Sequence, residues 1–173
     1  MARYLLATQC VMDIAKMIGL PPQRWFETAA ERGIDHSDVF ISAVTPMILR
    51  ATFEAAAKKT ADAATKAGHT AIRRNAEIFV HRLANIGCII PVSQEIADRW
   101  GELLELDLSY KTFEGQYNEY RFHEKIVLAS AIAGTGSTPF MLVERRNAAL
   151  DALTALGLRV EDPYDLSNEE SGP

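Results

Sequence analysis

Short apolar runs alternate along the chain with stretches in which apolar residues recur at helical spacing. The short runs predict strands at residues 4–6, 38–42, 88–92, 139–143 and 158–160. The helical spacing predicts helices at residues 11–18, 23–31, 125–133 and 146–156, one from residue 71 to about residue 87, and a further helix from residue 93. Strands separated by helices imply parallel βαβ units. We therefore expect an α/β fold, a three-layer α/β/α sandwich with a mostly parallel sheet of roughly four or five strands.

The remaining stretches of the chain predict a further helix, a loop and the limits of the domain. Thr45 before Pro46 starts a helix, which the Ala-rich residues 51–67 are expected to extend. Residues 108–120 are polar and aromatic without a clear period, which predicts an irregular loop. No repeat or linker divides the chain, so residues 1–164 are expected to form one domain. The acidic residues 165–173 are expected to be a disordered tail.

The charge and the cysteines narrow the possible functions. A net charge of −5 argues against a general electrostatic grip on nucleic acid, so binding of RNA is possible but not supported by the net charge. Arg73, Arg74, His81 and Arg82 could form a basic patch on one helix, although a solvated face is the simpler interpretation. The two cysteines, Cys10 and Cys88, have neither disulfide nor metal spacing, which favours the cytoplasm. No apolar run approaches the ~20 residues of a membrane helix, and no signal peptide is expected.

Two motifs lie where predicted strands pass into helices. After the first strand the chain reads Ala7, Thr8 and Gln9, and after the second it carries Ser42, Thr45 and Ile48 at spacings of three residues. The first segment resembles the opening of PIN-domain nucleases, the family of the VapC toxins, in which Asp-Thr-Asn follows the aliphatic strand. The second resembles the Ser-x-x-Thr-x-x-Glu signature of the same family. In this chain Ala7 replaces the aspartate and Ile48 replaces the glutamate.

Further segments match the family in the same order. Glu124 opens a helix of small residues, as the third family acid does. Residues 142–146 resemble the Leu-Val-Thr-Arg-Asn turn, and Ala149 stands at the aspartate of the following Asp-Phe pair. Residues 90–92, 100–101 and 157–163 also resemble family segments. The match covers residues 4–164, and the order of the pieces makes the PIN-like fold a specific expectation.

The resemblance implies a ribonuclease that holds Mg²⁺ or Mn²⁺ with clustered carboxylates, and this chemistry is largely missing. The metal would activate a water molecule and stabilise charge on the phosphate. Of the family acids only Glu124 remains, and one glutamate cannot hold a hard divalent cation against its hydration shell. We therefore expect no metal, no cofactor and no confidently assigned catalytic residue. The positions that the resemblance brings together are called the vestigial pocket, and they are Ala7, Thr8, Ser42, Thr45, Ile48, Glu124, Glu144, Arg145 and Ala149.

A neighbouring acid could replace a missing carboxylate of this pocket, and the retained polar residues could have ordinary structural roles. Glu144 is the best replacement acid, since it follows a strand, but beside Arg145 it suits an internal salt bridge. Asp13 is expected on the following helix instead of at the strand end. The hydroxyls could be simple helix caps, and Glu124 could be the acidic first turn of its helix.

Three functions remain open on these residues. The leading hypothesis is a catalytically degenerate PIN-domain protein that acts by binding, linked to a toxin–antitoxin or plasmid-maintenance system with a small antitoxin-like partner. The second is a metal-dependent endoribonuclease with a weak or relocated metal site. The third is a structural or regulatory subunit that dimerises with an active homologue.

A homodimer is expected because the first two helices carry many large apolar side chains. These helices offer more large apolar side chains than one sheet face needs, and VapC-like proteins pair on that side of the fold. Two-fold dimers are also the commonest soluble oligomers. The candidate interface residues are Ile14, Met17, Ile18, Trp25 and Phe26. The alternative is that these side chains fill the core of the monomer.

Overall fold

The computed structural model describes residues 2–112, 114–136 and 138–165. The strands are β1 Tyr4–Leu6, β2 Val39–Ser42, β3 Ile89–Ile90, β4 Ser109–Lys111, β5 Tyr117–Glu119, β6 Met141–Val143 and β7 Arg159–Glu161. The helices are α1 Thr8–Lys16, α2 Pro21–Glu27, α3 Thr45–Lys59, α4 Ala63–Asn85, α5 Gln94–Leu104, α6 Phe122–Ala133 and α7 Ala148–Ala152. Short 3₁₀ turns lie at Ala29–Arg32, His36–Asp38 and Leu153–Leu156.

A parallel five-stranded sheet in the order β3-β2-β1-β6-β7 forms the middle of the fold. Its central strand pairs with both neighbours in parallel, with Tyr4 opposite Val39 on one side and Met141 on the other. The chain builds the sheet outward from β1, first through β2 and β3 and later through β6 and β7. The carboxyl ends of β1, β2 and β6 therefore meet at one edge, at the point where the strand order reverses.

Helices cover both faces of the sheet because successive side chains of its central strands point to opposite sides. Leu5 and Leu142 belong to a core cluster with α5, α6 and α7, whereas Leu6 and Val143 belong to a second cluster with α1, α2, α3 and α4. All four side chains are fully buried. The predicted α/β/α sandwich with a mostly parallel sheet is confirmed.

Two helix boundaries differ from the sequence expectation. The Ala-rich residues 51–67 do not form one helix, because α3 ends at Lys59 and Asp62 begins α4 by accepting a hydrogen bond from the Thr65 backbone N–H at 2.7 Å. The helix predicted from residue 71 to about residue 87 is the C-terminal part of this longer α4, which ends at Asn85. The predicted helix 146–156 begins later, at the cap Asn147, and passes into a 3₁₀ turn after Ala152.

The expectation of an irregular loop at residues 108–120 is wrong. Strands β4 and β5 pair there as an antiparallel hairpin that turns through Gly115, whose φ of +79° favours glycine. Most hairpin side chains are exposed, so no alternation of apolar and polar residues marks the strands. At the base of the hairpin, Tyr120 is buried and its ring lies 5.0 Å from that of Tyr110.

The candidate interface residues of the first two helices divide between core and surface. Ile14 and Trp25 are 8% and 2% exposed, so they fill the core of the monomer. Phe26 is partly buried and stacks on the ring of His36. Met17 and Ile18 are 66% and 71% exposed. Of the candidate interface residues, Met17 and Ile18 are therefore the two that remain largely exposed and available for a dimer contact.

The burial of Trp25 has a specific polar partner. Its indole N–H donates to Glu161 at the end of β7, and Arg32 reaches the same carboxylate at 2.9 Å. The Arg32 guanidinium also lies 4.8 Å from the centre of the indole ring. This network ties α2 to the edge of the sheet, which explains why the aromatic side chain faces inward.

The last two expectations concern the C-terminal tail and membrane-spanning helices. Residues 166–173 of the predicted tail lie outside the described residues. Among the described residues, no helix combines the length and the apolar character needed to cross a membrane.

Candidate functional site at the carboxyl edge of the sheet

The carboxyl edge brings together the segments that follow β1, β2 and β6. Ala7 follows β1 and its backbone N–H donates to the carbonyl of Val143 at 3.1 Å, which joins it to the end of β6. Helix α1 begins directly at Thr8, and α3 begins at Thr45 three residues after β2 ends. The positions of the vestigial pocket therefore come from these three strand ends and from the first turns of four helices, since Glu124 lies in the first turn of α6 and Ala149 in that of α7.

The three positions without the family carboxylate are part of the hydrophobic core. Ala7, Ile48 and Ala149 are 6%, 8% and 4% exposed, and they belong to one apolar cluster together with Tyr120. Because charged groups lose their hydration in such surroundings, a carboxylate placed here would have to be paired or protonated. The packing of this part of the pocket is that of a protein interior.

Buried hydroxyls line the same edge. Ser42 and Thr45 are fully buried, and the Oγ atoms of Ser42 and Ser130 are 3.4 Å apart. Within the described residues, the Oγ1 atoms of Thr8 and Thr45 have no hydrogen-bond partner. The alternative that these two threonines are simple caps does not hold, because the cap positions are Ala7 and Val44, neither of which caps through its side chain.

Glu124 has a local structural role. Its carboxylate accepts a hydrogen bond at 2.8 Å from the backbone N–H of Arg121, the residue that precedes α6. A carboxylate in the first turn also interacts favourably with the helix dipole. Its role at the N-terminus of α6 is therefore sufficient to explain why a glutamate lies at this position.

Glu144 is the most perturbed acid of the site. It follows β6, and its carboxylate accepts a hydrogen bond at 2.9 Å from the backbone N–H of Arg145. Burial raises the pKa of Glu144 to about 7, the hydrogen bond opposes this rise, and the charges of Asp13, Glu124 and Asp162 add to it. The group therefore titrates near neutral pH, and only partly carries a charge there.

Asp13 lies closer to the site than its position along the chain indicated. It is 4% exposed on α1, and Lys16 and Gln9 donate to its Oδ1 at 2.6 and 3.0 Å. The hydroxyl of Tyr164 donates to its Oδ2 at 2.7 Å. The chain after β7 thus folds back onto α1, a long-range contact for which the sequence carries no local signal.

The segment that follows β7 also brings the ring of Tyr164 against the guanidinium group of Arg145. The Arg145 guanidinium carbon lies 3.7 Å from the centre of the Tyr164 ring. Burial raises the pKa of Tyr164, and its hydrogen bond to Asp13 and the charge of Asp13 add to the rise. Asp162 fixes the segment by accepting hydrogen bonds from the backbone N–H groups of Arg146 and Tyr164 at 2.7 and 2.8 Å.

Tyr120 and Asn147 were also missed by sequence reasoning. The Asn147 side-chain amide donates to the Tyr120 hydroxyl at 2.9 Å, while its oxygen caps α7 by accepting from the N–H groups of Ala149 and Leu150. Asn147 before Ala-Ala-Leu is a recognisable capping signal. Burial raises the pKa of Tyr120, so the phenol stays neutral. This contact fastens the base of the β4–β5 hairpin to the carboxyl edge.

The donor set does not fit the divalent metal of the family. Over residues 2–112, 114–136 and 138–165, no group of three or more His, Cys, Asp or Glu side chains is placed to hold a metal ion. Both carboxylate oxygens of Asp13 already accept hydrogen bonds, and Glu124 caps a helix. Mg²⁺ and Mn²⁺ require several free oxygen ligands, and the protein usually supplies carboxylates.

Comparison with known proteins identifies the fold. No protein-family model and no curated protein matches the chain. The solved structure of FitAB bound to an IR36 DNA fragment is similar with a TM-score of 0.57 and 15% identity, over 93% of this chain and 95% of that one. The structure of VapBC2 from Rickettsia felis bound to a promoter DNA fragment is similar with a TM-score of 0.53 and 17% identity, over 92% and 97% of the two chains. At these identities the likeness shows a shared fold.

Replacing Glu144 should change how stability depends on pH. The pKa of about 7 in the folded protein lies above the ordinary value of 4.5, so the folded protein binds more protons than the unfolded chain between these values. The free energy of unfolding should therefore fall as the pH rises through this interval. Glu144→Gln should remove this fall and be more stable than the parent at pH 8, by about 1–2 kcal/mol for a partly exposed group.

Urea denaturation at several pH values between 4.5 and 8 measures this effect. Glu119→Gln, a matched change at an exposed hairpin residue, serves as the control and should leave the pH profile unchanged. An identical pH profile for Glu144→Gln and the parent would contradict the assigned pKa.

Restoring a carboxylate at position 48 should destabilise the protein. Ile48→Glu buries a charge in the apolar cluster, so the free energy of unfolding should fall by about 1–3 kcal/mol at neutral pH. Met47→Glu, at the adjacent position of α3 that is 70% exposed, is the matched control and should have little effect. Equal melting temperatures for the two variants would show that position 48 is not in an apolar environment.

Proposed function

We propose that this protein is a PIN-like, VapC-like protein that has lost metal-dependent RNA cleavage and acts by binding a protein partner in a toxin–antitoxin type of module. The observation that carries the proposal is the burial of Ala7, Ile48 and Ala149 in one hydrophobic core cluster. A nuclease of this fold needs carboxylates at the carboxyl edge to hold its metal, and the three side chains that occupy these positions cannot ligate an ion.

Two partners are proposed: the fold supports an antitoxin-like protein, and an exposed apolar surface supports a second copy of this chain. The two similar structures are named FitAB and VapBC2, and each contains a DNA fragment. By analogy we propose a small antitoxin-like protein as the partner. Met17 and Ile18 stand exposed after α1, close to α4, since Asn75 of α4 donates to the Ala15 carbonyl at 3.0 Å. Exposed apolar side chains of this size mark contact surfaces when they lie together.

A second candidate function is a ribonuclease with a relocated metal site. The observation that favours it is the group of carboxylates that act electrostatically on Glu144, namely Asp13, Glu124 and Asp162. A metal would have to displace Lys16 and Tyr164 from Asp13 to use it. The hydrogen bonds of these acids therefore make this the weaker alternative.

An RNA cleavage assay with Mn²⁺ separates the two candidates. We expect the full-length protein to cleave labelled RNA no faster than its Glu124→Ala and Asp13→Asn variants, with or without a chelator. Calorimetric titration should show no Mn²⁺ site tighter than about millimolar, because no open cluster of oxygen ligands is present. Cleavage that requires Mn²⁺ and is lost in either variant, or a micromolar Mn²⁺ site, would establish the relocated site instead.

We also propose that the protein forms a two-fold homodimer through the exposed residues after α1. Light scattering at micromolar concentration should give the mass of a dimer for the parent protein. Met17→Asp combined with Ile18→Asp should give a monomer, because charges in an apolar contact lose their hydration. Met47→Asp, at another exposed methionine, is the control and should remain dimeric. A monomeric parent, or a dimer that survives the double change, would contradict this interface.

A further inference from the structure

The charges of this protein are strongly segregated along the chain. Residues 45–85, which contain α3 and α4, carry seven of the 18 Lys and Arg residues but only three of the 23 Asp and Glu residues, a net charge of +4. Since the whole chain has a net charge of −5, the remaining residues carry −9. The α3–α4 pair is thus a basic element on an otherwise acidic protein.

The basic side chains of α4 share one exposed face. Lys66, Arg73, Arg74 and His81 are exposed, and at 100° per residue they fall within an arc of about 100°. With a rise of 1.5 Å per residue, the face is about 22 Å long. Residues 63–68, the first turns of α4, are exposed on every side, so this end of the helix stands clear of the core. We call these four side chains the basic face of α4.

Most of this charge is not neutralised by the protein itself. Arg73 is 3.5 Å from Glu77, which lies on the same face, and both side chains are about half exposed. Within the described part of the chain, Lys66, Arg74 and Arg82 take part in no ion pair. An exposed pair such as Arg73–Glu77 contributes little to stability and exchanges easily with another anion. A structural role in holding the fold therefore does not account for the basic face.

A groove runs beside the basic face. It has a volume of about 650 Å³, and its lining includes Ala67, Ala71 and Arg74. The small side chains of Ala67 and Ala71 let an extended chain approach the helix backbone, and Arg74 is the one cation among the described residues that line the groove. The rest of the lining is Thr70, Asn75 and Ile78. No aromatic residue lines the groove, so base stacking is not available there. Contact with phosphate groups is therefore available from Arg74 and from the other cations of the basic face, whereas the rest of the described groove lining is uncharged.

We propose that the basic face of α4 binds the phosphate backbone of nucleic acid without sequence specificity and independently of the carboxyl edge. The complementarity of charge supports a polyanion as the occupant, since α3 and α4 together carry a net charge of +4 while the remaining residues carry −9. Binding should be weak and dependent on salt, because a handful of contacts must overcome a net negative charge. The inference does not rest on the proposed function, since it requires neither a protein partner nor the loss of cleavage.

Fluorescence anisotropy with the full-length protein tests the proposal. The probes are a fluorescein-labelled single-stranded RNA of about 20 nucleotides and a DNA duplex of the same length. At about 50 mM salt we expect a dissociation constant on the order of 10–100 µM for at least one probe. The two probes distinguish a flexible single strand from a duplex as the better source of phosphate.

Two double variants with the same loss of charge locate the contact. Lys66→Gln with Arg74→Gln should weaken binding at least about five-fold, and should reduce the dependence of log K on log salt by about 1.4 for the single strand. Arg24→Gln with Lys111→Gln removes two exposed cations outside α3 and α4 and should weaken binding less than about two-fold. Circular dichroism and melting temperatures check that both variants fold.

Three outcomes would overturn the proposal. One is no anisotropy change at protein concentrations of several hundred micromolar in low salt. Another is equal weakening by the two double variants, which would mean that only the overall charge matters. The third is unchanged nucleic-acid binding together with a loss of the dimer in the Lys66 and Arg74 variant, which would assign the face to a protein contact.

Discussion

The burial of β1 on both faces is the constraint on which the rest of the structure depends. Leu5 and Leu6 are both fully buried, each in a different core cluster, so the strand can lie only in the middle of a sheet that helices cover on both sides. Parallel pairing with β2 and β6 then aligns the carboxyl ends of the three strands. The same packing that stabilises the domain therefore creates the edge where proteins with open parallel sheets place their functional sites.

At that edge, buried apolar side chains lie near several carboxylic acids. Ala7, Ile48 and Ala149 extend the core to the strand ends, while Glu144 remains among Asp13, Glu124 and Asp162. Each of the last three acids has a structural hydrogen-bond partner. Glu144 is held mainly by its neighbour's backbone N–H and is the acid whose pKa moves toward neutrality. At this edge Glu124 caps a helix, and Asp13 and Asp162 hold the chain that returns after β7.

The charge distribution separates this edge from the surface that could meet a polyanion. The acidic remainder of the chain carries the carboxyl-edge acids, whereas the positive charge is concentrated on α3 and α4. Because electrostatic repulsion acts over about 10 Å at moderate salt, an approaching nucleic acid would be turned toward α4. The proposed contact with a phosphate chain on α4 is therefore separate from the carboxyl edge.

The sequence by itself determined the elements whose signal is local. Apolar runs such as residues 4–6, the proline after Thr45 and the small-residue helix after Glu124 were enough for the parallel α/β/α fold. Tertiary structure alone decided where Asp13, Tyr120, Tyr164 and Trp25 lie. Their partners are distant in the chain, as Tyr164 is from Asp13 and Trp25 from Glu161. Because side-chain burial and hydrogen bonding between distant segments depend on how the layers pack, no local pattern of residues encodes them.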